Sequence, residues 1–429
     1  MRSRNLTMRF LAGTSFVAAA VLAAVSTAGG GTAPAEPEKA CETYVPMRAI
    51  TKEPKSHWFG YYDKLQFDPT GRYVLGMEVD FHDRSPGPDD VIRLGMVDLE
   101  RDDTWVGLAE TRAWSWQQGC MLQWLPGSKS KVIYNDRQGD DFVSVILGVF
   151  TGESRILPRA VYAVSPKGDI AVGLNFARVD ATRPGYGYKG AVDSGADNRH
   201  PADDGIYVVD LQSGESRLIV SLDQIASLPG EKPMLGKHWF NHLLFNPDGT
   251  RFVFLHRWYR EAPMKGRWQT RMFTAEPNGE KLHCVADHDM VSHFIWRNAR
   301  QILAWSNEPE TGARFHLYQD TTDHAEVVGE GILARDGHCT YSPDGHWILT
   351  DTYPEKDRMQ KLMLFRPADS KLVVLGRFYL SPEHRGEYRC DLHPRWSRDG
   401  KYVCIDSMHL GDKRQMYLLN VSGIVSPVE

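Results

Sequence analysis

The chain repeats one short turn seven times, and this repeat constrains the fold more than any other feature. Most copies place an aromatic residue before a residue such as Asp, Ser or Asn, often followed by proline, and then a glycine. Residues of these types favour tight turns between strands. A repeat of this period determines the whole architecture, so every other pattern has to fit it. The copies are KLQFDPTG (64–71), MLQWLPG (121–127), VYAVSPKG (161–168), HLLFNPDG (242–249), HFIWRNA (293–299), HCTYSPDG (338–345) and HPRWSRDG (393–400).

The segments between the turns predict β-strands. Apolar and β-branched runs follow each turn, as in RYVLGMEV and HWILTDTY, and their length of about five to eight residues suits strands rather than helices. Successive copies start 57, 40, 81, 51, 45 and 55 residues apart. A four-stranded propeller blade takes about 40–50 residues. We therefore predict an all-β fold, a single seven-bladed β-propeller of four-stranded antiparallel blades over residues 36–429.

The outermost strands and the closure of the ring are less obvious in the sequence. SRLIVSL (216–222) and KLVVLGRF (371–378) are candidate outer strands. Little chain remains after QMYLLNV (415–421), so we expect the N-terminal segment TYVPMRAI (43–50) to complete the last blade and protect its edge. The longest interval contains residues 175–205, which lack strand periodicity. We interpret this stretch as an ordered substrate-binding loop.

The N-terminus predicts export. Three arginines precede an apolar run from Phe10 to Val25, and small residues follow, which is typical of a secretory signal peptide over residues 1–35. We expect a secreted or periplasmic monomer without a membrane anchor. The net charge of −5 and the absence of basic runs argue against nucleic acid as a partner. Six cysteines are too few for a disulfide-dense scaffold, and a Cys390–Cys404 bond stays open at this point.

Histidine recurs at one defined position of the repeat. The first residue of each quoted copy lies where the innermost strand of a blade begins, at one mouth of the central channel. Four consecutive blades carry histidine there, although the chain has only 16 histidines. We predict that His293, His338 and His393 hold a divalent metal ion such as Mn, Zn or Ca, with no organic cofactor. The alternative is that these imidazoles bind an anionic sugar directly; Cys339 should point away because of strand alternation. The seven positions are Lys64, Met121, Val161, His242, His293, His338 and His393.

The same mouth collects basic, phenolic and amide side chains. The second strand of each blade returns to it, so residues after that strand face the same side. Arginine pairs with carboxylate or sulfate and aromatic rings pack on sugars, so this rim favours an acidic polysaccharide or oligosaccharide. His238 lies close in sequence to His242, the repeat position of blade four, and is a further candidate. The alternative is that His238 only packs in the core. The rim residues are Asn135, Arg137, Arg178, Arg183, Tyr186, Tyr188, Arg257 and Tyr353.

These residue types suit β-elimination at a uronic acid better than hydrolysis. Elimination requires a neutralised carboxylate, a base for the C5 proton and an acid for the leaving oxygen, for which His, Tyr, Arg and a metal ion are suited. Hydrolysis requires two carboxylates that flank the scissile bond. No Asp/Glu pair recurs at the rim.

A family resemblance supports this interpretation. HWFNHLLFNPDGTRFVFLHRW (238–258), VSHFIW (291–296), GHCTYSPDG (337–345) and LHPRWSRDG (392–400) resemble the blade pattern of the oligogalacturonate lyases and the propeller ulvan lyases. The resemblance implies a proton-transfer role for His242 and manganese ligands at His293 and His393. Just before HPRW the oligogalacturonate lyases have a second His and a Gln, where this chain has Asp391 and Tyr388.

The RPGYGY segment (183–188) is closer to the ulvan lyases. That resemblance implies that Tyr188 shares acid/base work with a histidine, His242 here, and that Arg178 neutralises the carboxylate, with Tyr186 and Arg183 as alternates. The favoured substrate is then an ulvan-like rhamnose–uronate polymer. Two alternatives stay open. One is a propeller glycoside hydrolase acting on rhamnose–glucuronate linkages, and the other is a non-catalytic glycan-binding propeller.

Overall fold

The computed structural model describes residues 40–230 and 233–425, and within them it is an all-β, seven-bladed propeller. Each of its seven sheets is antiparallel throughout. The predicted signal peptide, residues 1–35, lies outside the described residues. The fold class predicted from the repeat is therefore confirmed.

The strands follow the blades in chain order, from the channel outward in each blade. Two short strands come first and belong to the last two blades, β1 (Cys41–Thr43) and β2 (Met47–Ala49). Blades one and two consist of β3 (Ser56–Trp58), β4 (Tyr73–Val79), β5 (Ile92–Asp98), β6 (Thr104–Thr111), β7 (Gln123–Trp124), β8 (Lys131–Gln138), β9 (Asp141–Gly148) and β10 (Ser154–Leu157). Blades three and four consist of β11 (Ala163–Val164), β12 (Ile170–Gly173), β13 (Gly205–Asp210), β14 (Ser216–Ser221), β15 (His238–Phe245), β16 (Phe252–Glu261), β17 (Lys265–Ala275) and β18 (His283–Ala286).

The remaining three blades repeat the same plan. Blade five consists of β19 (Val291–Trp296), β20 (Gln301–Glu308), β21 (Gly312–Gln319) and β22 (Ala325–Val327). Blades six and seven contribute β23 (Thr340–Tyr341), β24 (Ile348–Asp351), β25 (Met359–Arg366), β26 (Lys371–Tyr379), β27 (Arg395–Trp396), β28 (Tyr402–Ser407) and β29 (Gln415–Asn420). Short helices are α1 (Phe176–Thr182), α2 (Leu222–Ala226), α3 (Ser422–Val425) and a 3₁₀ turn at Gly386–Tyr388. No helix in the described residues is long and apolar enough to cross a membrane.

The N-terminal segment closes the ring, as predicted. Strand β2 pairs antiparallel with β29, with Arg48 opposite Leu418, and becomes the outermost strand of blade seven. The chain adds one strand that the repeat did not predict: β1 pairs with β26 and extends blade six to five strands, with Glu42 opposite Arg377. Both predicted outer strands are present, as β14 and β26.

The repeated turn has one recurring hydrogen bond. The residue after the aromatic accepts, through its side chain, the backbone N–H at the start of the next strand, and the glycine then adopts a positive φ of 71–78°. Glycine adopts this backbone conformation without steric cost, which explains its place in the repeat. The accepting side chains and their donors are Asp68 with Tyr73, Asn246 with Arg251, Ser342 with Trp347, and Ser397 with Tyr402, at 2.8–3.0 Å.

The structure adds detail on the predicted loop 175–205 and on two cysteines. Residues 175–205 contain helix α1, capped by the Asn175 side chain, which accepts from the Arg178 N–H at 3.0 Å. The segment is therefore partly helical, because an Asn cap satisfies a donor at the first turn. Cys390 and Cys404 are both buried free thiols, so the disulfide left open by the sequence does not form.

Candidate active site

The four repeat histidines surround a pair of tyrosines in the channel. The ring centroids of His293 and His338 are 4.2 Å apart, and those of His338 and His393 are 4.3 Å apart. The Tyr61 ring lies 4.9 Å from His242 and 5.4 Å from His393. All four imidazoles are buried, with only 1–4% of their surface exposed. The structure thus gathers the four histidines that the repeat aligned, and it places them below the surface of the channel mouth.

Backbone strain marks the same repeat position. Met121, His242 and His393 occupy it in three different blades, and their φ angles are 58°, 52° and 41°. A positive φ is costly for residues other than glycine, and it persists where the surrounding structure enforces it, often at functional sites. At His242 the pairing of β15 with β16 also shifts register between Asn241 and Leu244. Two of the three side chains, His242 and His393, contact the ring of Tyr61.

Tyr61 and Tyr62 belong to this centre and were missed from the sequence. The Tyr62 hydroxyl donates to the Phe294 carbonyl at 2.9 Å, next to His293 on β19. Its ring lies 5.3 Å from that of His338. The segment GYYD (60–63) directly precedes the first repeat copy, and two adjacent aromatics at a channel mouth are the signal that was available. The pair fills the centre of the ring of histidines.

His242 is held as a neutral imidazole. Its Nε2 lies 3.1 Å from Asp63 Oδ2, which accepts the N–H, and its ring stacks on Phe294 at 4.0 Å. Burial, opposed by Asp63, lowers the pKa of His242 to about 4. The Nδ1 atom is buried and has no hydrogen-bond partner. His242 therefore has a free acceptor nitrogen, but it lies under aromatic rings, and its predicted proton-transfer role stays a prediction.

A group of three side chains fits a metal ion. The ligand atoms of His338, Asp391 and His393 all lie within 4.8 Å of one another, and the three residues are buried. His338 Nδ1 donates to Asp351 at 2.9 Å, while Nε2 is buried and has no hydrogen-bond partner. A carboxylate that orients a histidine from behind is the usual support of a metal-binding imidazole. The donor set of two imidazoles and one carboxylate suits Zn or Mn.

The predicted metal trio is brought together only in part. His293 lies beside His338 but does not belong to the group of three, in which Asp391 is the third member. His293 Nδ1 is 2.9 Å from Asp336 Oδ1 and 3.2 Å from the Ser292 hydroxyl. Asp391 stands at the position where the sequence departs from the oligogalacturonate lyase pattern. A carboxylate in place of a second histidine keeps a ligand at that position.

Tyr186 lies between two arginines at the edge of this centre. Arg389 Nη2 donates to the Tyr186 hydroxyl at 3.2 Å, and the Arg183 guanidinium lies 3.8 Å above the Tyr186 ring. Burial raises the pKa of Tyr186, but Arg183 and Arg389 outweigh it and lower that pKa below the usual tyrosine value. Arg389 also binds Asp391 through Nε at 3.0 Å and Nη2 at 2.8 Å. This network connects a phenol of lowered pKa with the group that fits a metal.

Arg183 and Tyr353 complete the accessible rim. The Arg183 guanidinium contacts the rings of Tyr186 and Trp268 and forms no hydrogen bond with another described side chain. It is half-buried and has free donors for an anion. Tyr353 lies 5.8 Å from His338 and 5.3 Å from the Arg389 guanidinium, measured to ring centroids. Both residues were predicted to bind substrate, and both lie beside the centre.

Tyr188, Arg178 and Asn135 instead form the framework of the 175–205 loop. Tyr188 is 1% exposed, stacks on Phe176 at 4.2 Å and accepts from Asn135 Nδ2 at 3.0 Å. The Asn135 side chain also donates to the Val161 carbonyl and accepts a hydrogen bond from the Val161 N–H. The structure does not bring Tyr188 or Asn135 to the histidines, because aromatic stacking and hydrogen bonds fix them in the core between blades two and three.

Arg178 is fully used within its own loop. Its guanidinium donates to the carbonyls of His238, Gly195, Asn198 and Arg199 at 2.7–3.1 Å and pairs with Asp193 at 3.2 Å. It is 1% exposed. A guanidinium with every arm occupied has no donor left for a substrate carboxylate. The carboxylate-binding role expected for Arg178 therefore stays a prediction, and Arg183 is the arginine of this segment with free donors.

The other three residues predicted at the rim differ in where the structure places them. His238 is fully buried, and its Nδ1 lies 2.8 Å from Nε2 of His256 on the neighbouring strand β16. Its side chain therefore packs within blade four instead of reaching the channel. Arg137 lies against Gly190 and reaches Asp89 at 3.4 Å. Arg257 is buried, yet its Nε and Nη1 have no hydrogen-bond partner, and Nη2 reaches the Val291 carbonyl at 3.4 Å. Arg257, on β16, thus keeps donors free, and the Val291 carbonyl that it reaches lies two residues before His293 on β19.

Comparison with known proteins supports the fold. No protein-family model matches the chain, and no curated protein matches it. The oligogalacturonate lyase of Vibrio parahaemolyticus is similar in structure, with a TM-score of 0.63 at 14% identity over 89% of this chain and 96% of that one. An oligogalacturonate lyase in complex with manganese gives a TM-score of 0.63 at 16% identity, over 89% of this chain and 94% of that one. At this identity the likeness shows the propeller fold alone.

Proposed function

We propose that the protein is a polysaccharide lyase that cleaves a uronic-acid-containing polysaccharide by β-elimination. The observation that carries the proposal is the position of Tyr186 between Arg183 and Arg389. Arg389 also binds Asp391, which groups with His338 and His393. Elimination requires a base for the C5 proton and a cationic site for the uronate carboxylate. This arrangement supplies both. The similar structures that are oligogalacturonate lyases agree with it.

Tyr186 is the proton-transfer group of the proposed reaction. As a phenolate it takes the C5 proton of the uronate; the C–H electron pair becomes the C4–C5 double bond, and the C4–O bond breaks. The phenol then returns its proton to the leaving oxygen, which lies on the same face of the sugar. Arg183 has free donors and neutralises the carboxylate, which makes the C5 proton more acidic. Arg389 holds the Tyr186 hydroxyl in place through its 3.2 Å hydrogen bond.

A divalent metal ion is the cofactor that His338, Asp391 and His393 would hold. The buried, unpartnered Nε2 of His338 and its support by Asp351 agree with this fit. When bound, the ion supplies positive charge against the substrate carboxylate. Manganese, found in one of the similar structures, and zinc both suit this donor set.

The proposed substrate is an ulvan-like rhamnose–uronate polymer that the protein meets outside the cytoplasm. The RPGYGY segment supports this preference, because Tyr186 and Arg183 both come from it. The signal peptide expected over residues 1–35 supports secretion or a periplasmic location. Short oligogalacturonates are the competing substrate class.

A screen of acidic polysaccharides tests the proposal. A lyase leaves an unsaturated uronate that absorbs at about 235 nm, whereas a hydrolase does not. We expect the absorbance to rise on a rhamnose–uronate polymer and the Tyr186→Phe variant to abolish the rise. New reducing ends without absorbance at about 235 nm would instead support the glycoside hydrolase. Binding without either product would support a non-catalytic propeller.

A further inference from the structure

A cleft opens beside the histidines, between blades five and six. Its volume is about 910 Å³, within the range of about 300–1,000 Å³ that small-molecule sites occupy. Two chain segments form its sides, residues 334–336 before β23 and residues 352–357 between β24 and β25. Trp305 of β20 contributes an aromatic wall. We refer to this feature as the blade 5/6 cleft.

The blade 5/6 cleft is continuous with the candidate active site through two residues. Asp336 lines the cleft, and its Oδ1 lies 2.9 Å from Nδ1 of His293. Tyr353 also lines the cleft, and its ring lies 6.1 Å from His293 and 5.8 Å from His338. A ligand in the cleft would therefore contact the same side chains that border the reacting centre.

The acidic residues of the cleft are all paired. Glu355 binds Lys361 at 3.0 Å, Asp357 binds Arg377, and Asp336 binds His293. Lys361 and Arg377 balance the charges of Glu355 and Asp357, whereas Asp336 faces an imidazole that is charged only when protonated. An anion in the cleft therefore meets one uncompensated carboxylate, that of Asp336, and not three.

The two cations of the cleft are free. Arg335 and Lys356 are exposed, one on each side of the cleft, and neither forms a hydrogen bond or an ion pair with any residue of the described chain. A pair of unmatched cations above an aromatic wall favours a ligand with an acidic group and an apolar ring face. A pyranose that carries a carboxylate or a sulfate has both.

We propose that the blade 5/6 cleft binds the acidic sugar next to the reacting uronate in the same polymer chain. Arg335 and Lys356 pair with its carboxylate or sulfate group, and Trp305 and Tyr353 pack against its ring. This inference rests on the proposed function, because it extends the substrate from the reaction centre into the cleft. It predicts that the protein distinguishes substrates by length, since the shortest cleavable fragment leaves the cleft empty.

A length series with the double variant Arg335→Gln/Lys356→Gln tests this assignment. We expect its KM to rise about tenfold on long oligosaccharides, with kcat little changed, because two charge-assisted contacts are lost. The shortest cleavable fragment should be turned over as by the wild type. Lys167→Gln is the matched control, since Lys167 is an exposed lysine in the turn between β11 and β12, at the other end of its blade. An equal effect on both lengths, or no effect on either, overturns the inference.

A binding arm separates failure of this inference from failure of the proposed function. Affinity electrophoresis through gels that contain the acidic polymer needs no turnover. If the wild type produces no absorbance at about 235 nm, the lyase proposal fails. Retardation in the gel then tests only whether the blade 5/6 cleft binds the polymer. Retardation of the wild type and of Lys167→Gln that is lost in the double variant supports the cleft. Equal retardation of all three, or none of the wild type, overturns it.

A desulfated sample of the same polymer identifies the anion. If the double variant loses affinity for both samples, the carboxylate is the group that Arg335 and Lys356 bind. A loss confined to the sulfated sample assigns the sulfate ester. If the double variant loses affinity for neither sample, the proposed binding of the polymer by Arg335 and Lys356 is wrong. Trp305→Ala should weaken binding to both samples alike, because ring packing does not depend on the charge.

Discussion

Arg389 Nη2 donates a hydrogen bond to the Tyr186 hydroxyl at 3.2 Å, and the same guanidinium binds Asp391. This contact distinguishes Tyr186 from Tyr188, although only one residue separates them in the chain. The hydroxyl of Tyr188 meets Asn135 in the core instead. The two phenols therefore face different environments, one cationic and one apolar.

Substitution of these two tyrosines should have opposite consequences. Tyr186→Phe removes the proposed proton-transfer group, so we expect the rate at about 235 nm to fall by about 10²-fold or more, with little change in the unfolding temperature. Tyr188→Phe removes a buried hydrogen bond, so it should cost about 1 kcal/mol of unfolding free energy and leave the rate near that of the wild type. Progress curves and thermal unfolding of both variants provide the check. If Tyr188→Phe instead loses the rate at unchanged stability, Tyr188 has the acid/base role that the family resemblance implies.

The pH profile should report the ionisation of Tyr186. Because Arg183 and Arg389 lower the pKa of Tyr186, kcat/KM should rise with pH through a pKa below the usual tyrosine value of about 10. Arg183→Gln removes one of the two positive charges, so that pKa rises and the rising limb moves to higher pH. Arg314→Gln, at an exposed position on β21, is the control that should leave the limb in place. A limb that does not move in Arg183→Gln would argue against a phenolate base.

Arg178 and Arg183 form a second matched pair. Arg178 is buried and bonds to four carbonyls and Asp193, so Arg178→Gln should destabilise the protein by about 3 kcal/mol or more. Arg183 contacts only aromatic rings, so Arg183→Gln should leave stability almost unchanged and reduce kcat/KM. Urea unfolding measured alongside activity separates the two effects. Full stability in Arg178→Gln together with a lost rate would return the carboxylate-binding role to Arg178.

Metal content should depend on Asp391 more than on His293. Elemental analysis of protein purified without chelator should find a divalent metal in the wild type, and Asp391→Asn or His338→Ala should lose most of it, because both residues belong to the group within 4.8 Å. His293→Ala should retain the metal, as should Asp336→Asn, the matched carboxylate control that contacts only His293 in this cluster. Loss of the metal in His293→Ala with retention in Asp391→Asn would establish the ligand set expected from the sequence.

Much of the fold could be predicted because the repeat is local. Each turn carries its own hydrogen bond and glycine, so the copies are visible without knowledge of the ring, and the strands follow from them. Closure by β2 followed from counting the strands that remained after β29. Strand β1 could not be found in the same way, because three residues pair at an outer edge without a turn or a periodic pattern of their own.

The site was predictable only where the repeat reached it. The four histidines share one repeat position, so alignment was enough to bring them together. Tyr61 lies outside the quoted copies. It meets His393 because blade one closes the ring beside blade seven, and it meets His242 of blade four only because both lie at the channel. Asp391 was visible as a departure from a family pattern, and its meaning required the distance to His338 and His393.

The distinction between Tyr186 and Tyr188 depends on packing that no periodicity encodes. Gly187 between them lies against the backbone of α1, where an added Cβ would come within 2.1 Å of the Asp180 nitrogen and 2.3 Å of the Phe176 oxygen. This close approach fixes the loop, so that Tyr188 stacks on Phe176 and Tyr186 turns toward Arg389. From the sequence the two tyrosines are equivalent members of one segment.

His238 should make the fold sensitive to acid. Burial lowers the pKa of His238 to about 3, whereas a histidine in the unfolded chain has a pKa of about 6.5. Between these values the unfolded state binds a proton that the folded state does not, so the free energy of unfolding falls as the pH falls from about 6.5 to about 3. This residue should contribute a slope on the order of 1.4 kcal/mol per pH unit.

The His238→Gln variant isolates this contribution. A glutamine does not titrate and still offers a hydrogen bond to His256, so the slope of unfolding free energy against pH should decrease by about one bound proton. Urea unfolding at several pH values between neutrality and the acid limit measures that slope. His346→Gln, at an exposed turn position, is the control and should keep the slope of the wild type. If His238→Gln also keeps it, the acid sensitivity arises elsewhere, and His238 is protonated in the folded protein as readily as in the unfolded chain.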